Sequence, residues 1–415
     1  MEITIIILAI VFVLIAVRQV GNIKLQIWQI MSGGALLVLL THQISILNAL
    51  KAINLNVLIF LFSMFILGVS LEESGYLSHI TYKIFKSAKN INHLILLIIF
   101  VMGISAAFLM NDTVAIIGTG IILLLAKKHE ISPKILLITL ALAITTGSVM
   151  SPIGNPQNFL IATEGHIINP FIEFLKFLFI PTIINLFIVF FIIKIFYKDH
   201  FNKKDINPFS QEPIKDHNLA MLSRISLILL ACLILINIII SLLRLPININ
   251  LIYITTFSIL PIVIFSKKRV HIIKKVDWHT LIFFAAMFVL MKSVWNSGFF
   301  QSVINNLHIN ILSNPAVLSI SVILSQLISN VPLVALYMPM LLHKGISTNG
   351  MMALAAGSTI AGNLLILGAA SNIIIIHNAE KKSRETITFG EFARIGIPLT
   401  LINILIYYLF LTVIH

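Results

Sequence analysis

Short polar islands interrupt otherwise apolar stretches of this chain, and their side chains are the ones equipped for chemistry. The N-terminal half carries Asn111-Asp112-Thr113 and then Ser148 with Ser151-Pro-Ile-Gly154-Asn155-Pro-Gln-Asn158. The C-terminal half carries Ser329-Asn330, then Ser358, Gly362-Asn363 and Gly368-Ala-Ala-Ser371-Asn372. Amide and hydroxyl oxygens, with carbonyls freed where a helix unwinds, suit a hard cation such as sodium. Amide hydrogens left free at a helix start, with the positive end of the helix dipole behind them, suit an anion. Asp112 is the one acid in the set. A carboxylate inside a membrane is costly, so it is read as a sodium ligand or the carrier of a coupled proton. The structural alternative is a cap on the helix that follows it. For any single Ser or Asn the alternative is a helix–helix hydrogen bond. No His pair stands at metal-ligand spacing, and the Gly-rich loop with its Lys that direct ATP drive would need is missing. No cofactor is expected beyond a sodium ion as candidate coupling ion.

The elements that position these groups follow from composition. Hydrophobic residues make up 59% and charged residues 10%, with a mean hydropathy of +1.04. So little charge for so much apolar side chain identifies a polytopic membrane protein. Met1-Glu-Ile-Thr lacks both the basic start and the small-residue cleavage site of a signal peptide, so the first apolar run reads as a retained helix. Spans are predicted near 2–17, 25–48, 54–73, 135–163, 171–195, 219–243, 249–266, 279–297, 350–378 and 395–413. Those at 135–163 and 350–378 are broken by their polar islands, because Pro and Gly cannot continue a helix there. Unwound backbone is tolerated at membrane depth only where protein buries it or it lines a wet cavity. Two further regions, 91–126 and 311–343, are split at Asn111-Asp112 and Ser329-Asn330. They read as re-entrant hairpins, since three of their four arms are about 13–15 residues against the ~20 a crossing needs. The fold class is an all-α polytopic membrane protein of about ten transmembrane helices plus two hairpins.

Charge and repetition order these elements. Of 28 Lys and Arg, 23 fall on one side of the predicted topology, which the positive-inside rule makes cytoplasmic, with both termini outside. Basicity therefore calls for no nucleic acid. The single Cys232 cannot form an intrachain disulfide. Ser74-Gly75-Tyr76 recurs as Ser297-Gly298-Phe299, Asn111 as Asn330, and the Gly154–Asn158 break as Gly368–Asn372. Residues 1–196 and 219–415 then form two repeats joined by a cytoplasmic linker, 197–218. With five full crossings in the first copy, the second is inserted upside down, an inverted-topology repeat of the kind that builds secondary transporters.

On Asn111-Asp112-Thr113-Val-Ala, Ser329-Asn330-Val331-Pro332, Ser151-Pro-Ile-Gly-Asn-Pro-Gln-Asn158 and Ser371-Asn372, nearly the whole chain resembles the citrate-transporter-like ion transporter superfamily. That group includes divalent-anion/sodium symporters, arsenite permeases and NhaD-type sodium/proton antiporters. The resemblance implies a scaffold that forms a homodimer and a transport domain of hairpins and broken helices that moves like an elevator. In the dicarboxylate branch, Ser-Asn-Thr triplets at both tips contact sodium and substrate carboxylate. Here the tips read Asn-Asp-Thr and Ser-Asn-Val: Asp112 would repel a carboxylate and Val331 supplies no hydroxyl. The expected function is secondary active transport of an inorganic or organic anion, coupled to sodium or protons, across a bacterial inner membrane. The alternative within the class is sodium/proton antiport through Asp112. A membrane enzyme would need a paired acid, a His metal set or an activated nucleophile, and none is found. The expected partners are the lipid bilayer, a small anion or ion substrate and a second copy of the chain.

Overall fold

Long runs of Ile, Leu and Phe leave the backbone no partner but itself, so nearly every described segment is helical. The computed structural model describes residues 2–17, 19–20, 23–198, 214–243, 245, 249–305 and 310–413. Most of the expected linker lies outside the described residues. The N-terminal half begins with α1 (Glu2–Val17), α2 (Ile27–Leu40), α3 (Ile46–Ala52), α4 (Leu55–Ser74) and α5 (Tyr76–Phe85). A ribbon of two-residue strands, Gln19–Val20 with Ile23–Lys24, joins α1 to α2. The first hairpin is α6 (Ile91–Leu109) with α7 (Asn111–His129), and the first broken span is α8 (Pro133–Ser148) with α9 (Pro156–Glu164). A 27-residue helix closes this half, α10 (Pro170–Phe174) running through a π-helical turn at Leu175–Phe179 into α11 (Ile180–Phe196).

The C-terminal half repeats the sequence of elements. It contains α12 (His217–Leu242), α13 (Leu251–Phe265), α14 (Arg269–Lys275), α15 (Trp278–Asn296) and α16 (Phe299–Asn305). The second hairpin is α17 (Asn314–Ile328) with α18 (Asn330–His343). The second broken span is α19 (Thr348–Leu364), a single 3₁₀ turn at Ile366–Gly368, and α20 (Ala370–Ser383), before the final α21 (Phe389–Val413). The repeated Ser-Gly-aromatic motif makes the same turn twice, with Gly75 at φ 71° and Gly298 at φ 72°, a left-handed conformation that glycine adopts without strain.

Two expectations are corrected. The 25–48 stretch is not one span: α2 stops at Leu40, His42 turns at φ 56°, and α3 starts afresh at Ile46. The second arm of the first hairpin is 19 residues, not 13–15, because Lys127–His129 continue its helix. The arms of the second hairpin, at 15 and 14 residues, are short as expected. Among the described residues, six helices are long and apolar enough to cross a membrane: α4, α6, α10–α11, α12, α15 and α21.

Packing divides the helices into groups. In each half the first hairpin arm lies on the first half of the broken span, α6 on α8 and α17 on α19. The second arms exchange partners, α7 packing on α20 and α18 on α9, while α8 meets α19 and α11 meets α21. Around this group stand α12 and α13 against α4, and α1 and α15 against α2. Apolar side chains such as Ile228, Leu235 and Ile239 on α12 and Leu401 and Leu405 on α21 remain exposed, as lipid contact requires.

Candidate functional site at the helix breaks

Each hairpin tip is a turn held against its own preference. Met110 (φ 67°, ψ 137°) passes α6 into α7, and Ser329 (φ 68°, ψ 160°) passes α17 into α18. A non-glycine residue in this region costs on the order of 1–3 kcal/mol and persists where its surroundings impose it. For the first tip the surroundings are the first break: the Asn111 amide donates to the Gly154 carbonyl at 2.8 Å. Because α9 continues for nine residues beyond that break, the tip is seated within the helical layer. The Asn111 side chain accepts from the Asp112 amide at 2.9 Å. Asp112 caps nothing; its buried carboxylate makes no hydrogen bond or ion pair with a described residue and faces a cavity.

The first break is closed by its own side chains. Asn155 accepts from the Asn158 amide at 2.8 Å and so caps α9. Its Nδ2 donates to Ser148 Oγ and Thr359 Oγ1, both at 3.2 Å. Asn158 Nδ2 reaches the freed carbonyls of Ser148 (3.2 Å), Val149 (3.2 Å) and Ser151 (3.1 Å), and Thr359 Oγ1 donates to Asn158 Oδ1 at 3.2 Å. At Gly154 a Cβ would run into the Ser148 carbonyl, so only glycine lets the turn close this tightly.

The second break repeats the backbone and not the closure. The Gly368 amide donates to Leu365 O at 2.8 Å as that of Gly154 does to Ser151 O at 3.2 Å. Asn372 Nδ2 donates to Gly362 O at 2.8 Å, the counterpart of Asn158 on Ser148. Ala369, however, stands where Asn155 stands and gives α20 no side-chain cap. The oxygens Thr145 Oγ1, Gln326 Oε1, Asn330 Oδ1, Ser371 Oγ and Asn372 Oδ1 are buried without a hydrogen-bond partner, each costly to strand.

One cavity of about 780 Å³ joins the two tips and the two breaks. Four helix N-termini border it: Asn111 of α7, Pro156 of α9, Asn330 of α18 and Ala370 of α20. The facing wall comes from α1, α2 and α15, with Phe12, Trp28 and Phe284. Among the described residues, the titratable groups on its surface are Asp112, Asp277, His279, His377 and Glu380, with no Lys or Arg. Asp277 is engaged by the Thr280 amide (3.1 Å) and hydroxyl (2.6 Å), and His279 stacks on Trp28 with ring centroids 5.1 Å apart.

Of the residues singled out in the sequence, Asn111, Asp112, Ser329 and Asn330 border the cavity. Ser148, Ser151, Gly154, Asn155, Asn158, Gly362, Gly368, Ser371 and Asn372 build the breaks behind it. Two turn elsewhere. Thr113 presses its methyl group on the face of α4 at Gly68. Asn363 donates to Thr146 Oγ1 (3.0 Å) and Asn403 Oδ1 (3.3 Å), and Asn403 donates in turn to Asn185 Oδ1 at 2.7 Å. Sequence reasoning missed Gln157, Gln326, Asp277, His279, His377 and Glu380. Two carried a signal: Gln157 lies inside the Ser151–Asn158 island, and Gln326 is a polar residue one turn before Asn330 in an apolar run. The others sit at helix ends that look solvated in one dimension.

Comparison with known proteins places this architecture. The family model described as citrate transporter matches residues 6–347. The chain is 26% identical over 434 residues to the silicon efflux transporter LSI3 of rice, covering 89% of each protein. Over 144 residues, 32% of the chain, it is 35% identical to the putative transporter arsB of Dictyostelium discoideum. Among solved structures, the YdaH transporter of Alcanivorax borkumensis shares the fold with a TM-score of 0.58 at 17% identity, over 86% of this chain and 84% of that one.

Proposed function

The chain belongs to the citrate transporter family and is an integral membrane transporter, not an enzyme; from that premise we propose that it is a secondary active carrier of a small oxyacid or its anion, driven by a sodium or proton gradient. The observation that carries this reading is the convergence of four helix N-termini on one cavity. Free amides and four positive dipole ends favour a negatively charged or oxygen-rich solute. With Asp112 inside the cavity and no Lys or Arg among the described residues of its surface, a bare polyanion is disfavoured. The solute enters as a neutral acid, or with a cation that balances it, and this ties substrate binding to the coupling ion. The rice relative is a silicon efflux transporter, and silicic acid belongs to the same chemical class.

The buried oxygens Thr145 Oγ1, Gln326 Oε1, Asn330 Oδ1, Ser371 Oγ and Asn372 Oδ1 form a neutral, hard donor set that fits sodium. Asp112, whose carboxylate makes no hydrogen bond with a described residue, is the coupling carboxylate, either charged beside the cation or taking up the proton. That same pairing supports sodium/proton antiport as a second reading. Elevator-type movement of α6–α9 and α17–α20, homodimerisation, and termini on the outer face of a bacterial inner membrane enter from the family resemblance and the loop charges. The recurring turns at Gly75 and Gly298, Met110 and Ser329, and Gly154 and Gly368 support an inverted repeat. Cysteines placed at Ile206 and Ile346 should then label from opposite sides; same-side labelling would break the repeat.

The test of function is a transport screen in proteoliposomes with imposed sodium or proton gradients, offering silicic acid, arsenite, phosphate, sulfate and di- and tricarboxylates. Concentrative uptake of a neutral or monovalent oxyacid under one gradient is the expected result. Uptake that equilibrates without regard to either gradient would refute the carrier reading in favour of a channel.

A further inference from the structure

The cavity between the tips and the breaks reaches the surface at one end of the helices. Asp112 is buried within it, while His279 on α15 and His377 and Glu380 on α20, which also line it, are exposed. His279 follows shortly after Lys275, which pairs with Glu73 at 2.7 Å, so this mouth lies at the Glu73 end of α4. The opposite end of α4, at Asn54, is about 28 Å away along the helix axis. Among the described residues, α9 lines the cavity only with Pro156 and Gln157, and α4 contributes nothing to its wall.

Beyond Gln157, toward the Asn54 end, α9 is fastened to α4 twice. Phe60 and Phe159 are fully buried and stack with ring centroids 4.0 Å apart and 8° between their planes. Nearer the end, Asn54 Nδ2 donates to Glu164 Oε1 at 3.0 Å, while Asn54 Oδ1 accepts from the Val57 amide and caps α4. The two contacts are in register for an antiparallel pair, since Phe60 lies about 9 Å along α4 from Asn54 and Phe159 about 7.5 Å back along α9 from Glu164. They also join two packing groups: α4 stands with α12 and α13, and α9 lies on α18 and α19. Glu164 ends α9, where a carboxylate opposes the helix dipole. Its own helix gains nothing from that charge; the partner it serves is Asn54. We propose that Asn54 and Glu164 are gate residues of the transport cycle. Their bond, backed by the Phe60–Phe159 stack, latches the face of the site remote from the mouth and parts when the site opens there. This rests on the carrier reading, which requires the site to face each side in turn.

The test is thiol labelling of Gln157→Cys in the full-length protein, with Cys232→Ser removing the single native thiol. Membrane vesicles of both orientations are treated with two impermeant methanethiosulfonates of opposite charge, the sulfonatoethyl and the trimethylammonium reagents. With the latch intact, labelling should be fast from the mouth side and slow from the Glu164 side. Glu164→Ala should speed the slow reaction about tenfold with both reagents, as the loss of one hydrogen bond to a charged group allows. Asn54→Asp keeps the cap on α4 but sets a second carboxylate against Glu164, and should speed it at least as much. Glu164→Gln, which keeps an acceptor oxygen for Asn54, should stay within about threefold of the intact latch. Unchanged rates in Glu164→Ala and Asn54→Asp would overturn the proposal. So would rates that move in opposite directions for the two reagents, which a change of local charge alone produces. The labelling needs neither solute nor gradient, so its outcome stands apart from the carrier reading, which the transport screen decides.

Discussion

The two helix breaks have the same backbone and opposite degrees of closure. In the first, Asn155, Asn158 and Thr359 spend their hydrogen bonds on one another and on the freed carbonyls. In the second, Asn372 keeps the one bond to Gly362 O, and its Oδ1 and Thr145 Oγ1, the counterparts of Asn158 Oδ1 and Thr359 Oγ1, have no partner. A duplicated turn has thus been put to two uses. Closure makes the first break a seat for the Asp112 tip, while the second leaves buried acceptor oxygens without a hydrogen-bond partner. The difference teaches that polar residues at a membrane helix break cannot be assigned to ligand or to structure by type. What decides is whether their hydrogen-bonding capacity is already consumed.

This contrast can be broken by experiment, beginning with the largest effect. Asn158→Ala removes the side chain that reaches three carbonyls and should destabilise the protein by about 3 kcal/mol or more, against about 1 kcal/mol for Asn372→Ala; thermal unfolding in detergent compares them. Equal losses would erase the distinction between the breaks. Next, Gly147→Ala drives a methyl into the Gly103 backbone of α6, while at Gly357 a Cβ would meet Leu318 O and Ser321 Cβ at 2.9 Å. Overpacking of about 1–3 kcal/mol is expected, larger at Gly147 because neither helix can yield by moving a side chain.

A smaller effect sharpens the comparison further. Thr359→Val should cost about 1 kcal/mol through its lost bonds to Asn155 and Asn158. Thr145→Val should leave unfolding nearly unchanged and weaken sodium-dependent stabilisation instead. A melting temperature independent of sodium in both wild type and Thr145→Val would remove the ion from the second break.

The smallest change sets the baseline away from both breaks. Asp216 accepts the Leu219 amide at 3.0 Å and pairs with Lys268 at 2.7 Å, and these two contacts, the amide first, hold its carboxyl below the usual carboxylate range. A depressed carboxylate adds stability above its ordinary pKa and loses it as pH falls through the lower folded value. The melting temperature of wild type should therefore drop below about pH 4, by slightly more than that of Asp216→Asn; identical profiles would show the pair to be inert.

Much of this was legible in the sequence for a physical reason. Pro, Gly and Asn inside an apolar run have no cheap explanation in hydrocarbon, so the breaks and tips announced themselves at Ser151–Asn158, Gly368–Asn372, Asn111 and Ser329. Helix ends were less legible. Lys127–His129 look like loop by composition, yet they extend α7 because its last turn accepts cations. The cavity itself was hidden, since Asp277, His279, His377 and Glu380 come from two helices that only the fold brings opposite the tips. Nor could residue type separate Asn363, engaged by Thr146 and Asn403, from Asn330, whose Oδ1 remains unpartnered.

The central claim is that Asp112, seated by the closed break and with a carboxylate that makes no hydrogen bond to a described residue, couples solute movement to the cation gradient. Its most direct test is Asp112→Asn in proteoliposomes, measuring solute counterflow and gradient-driven accumulation on the same preparation. The account predicts that counterflow persists while accumulation falls to background under either gradient. Accumulation equal to wild type would contradict it.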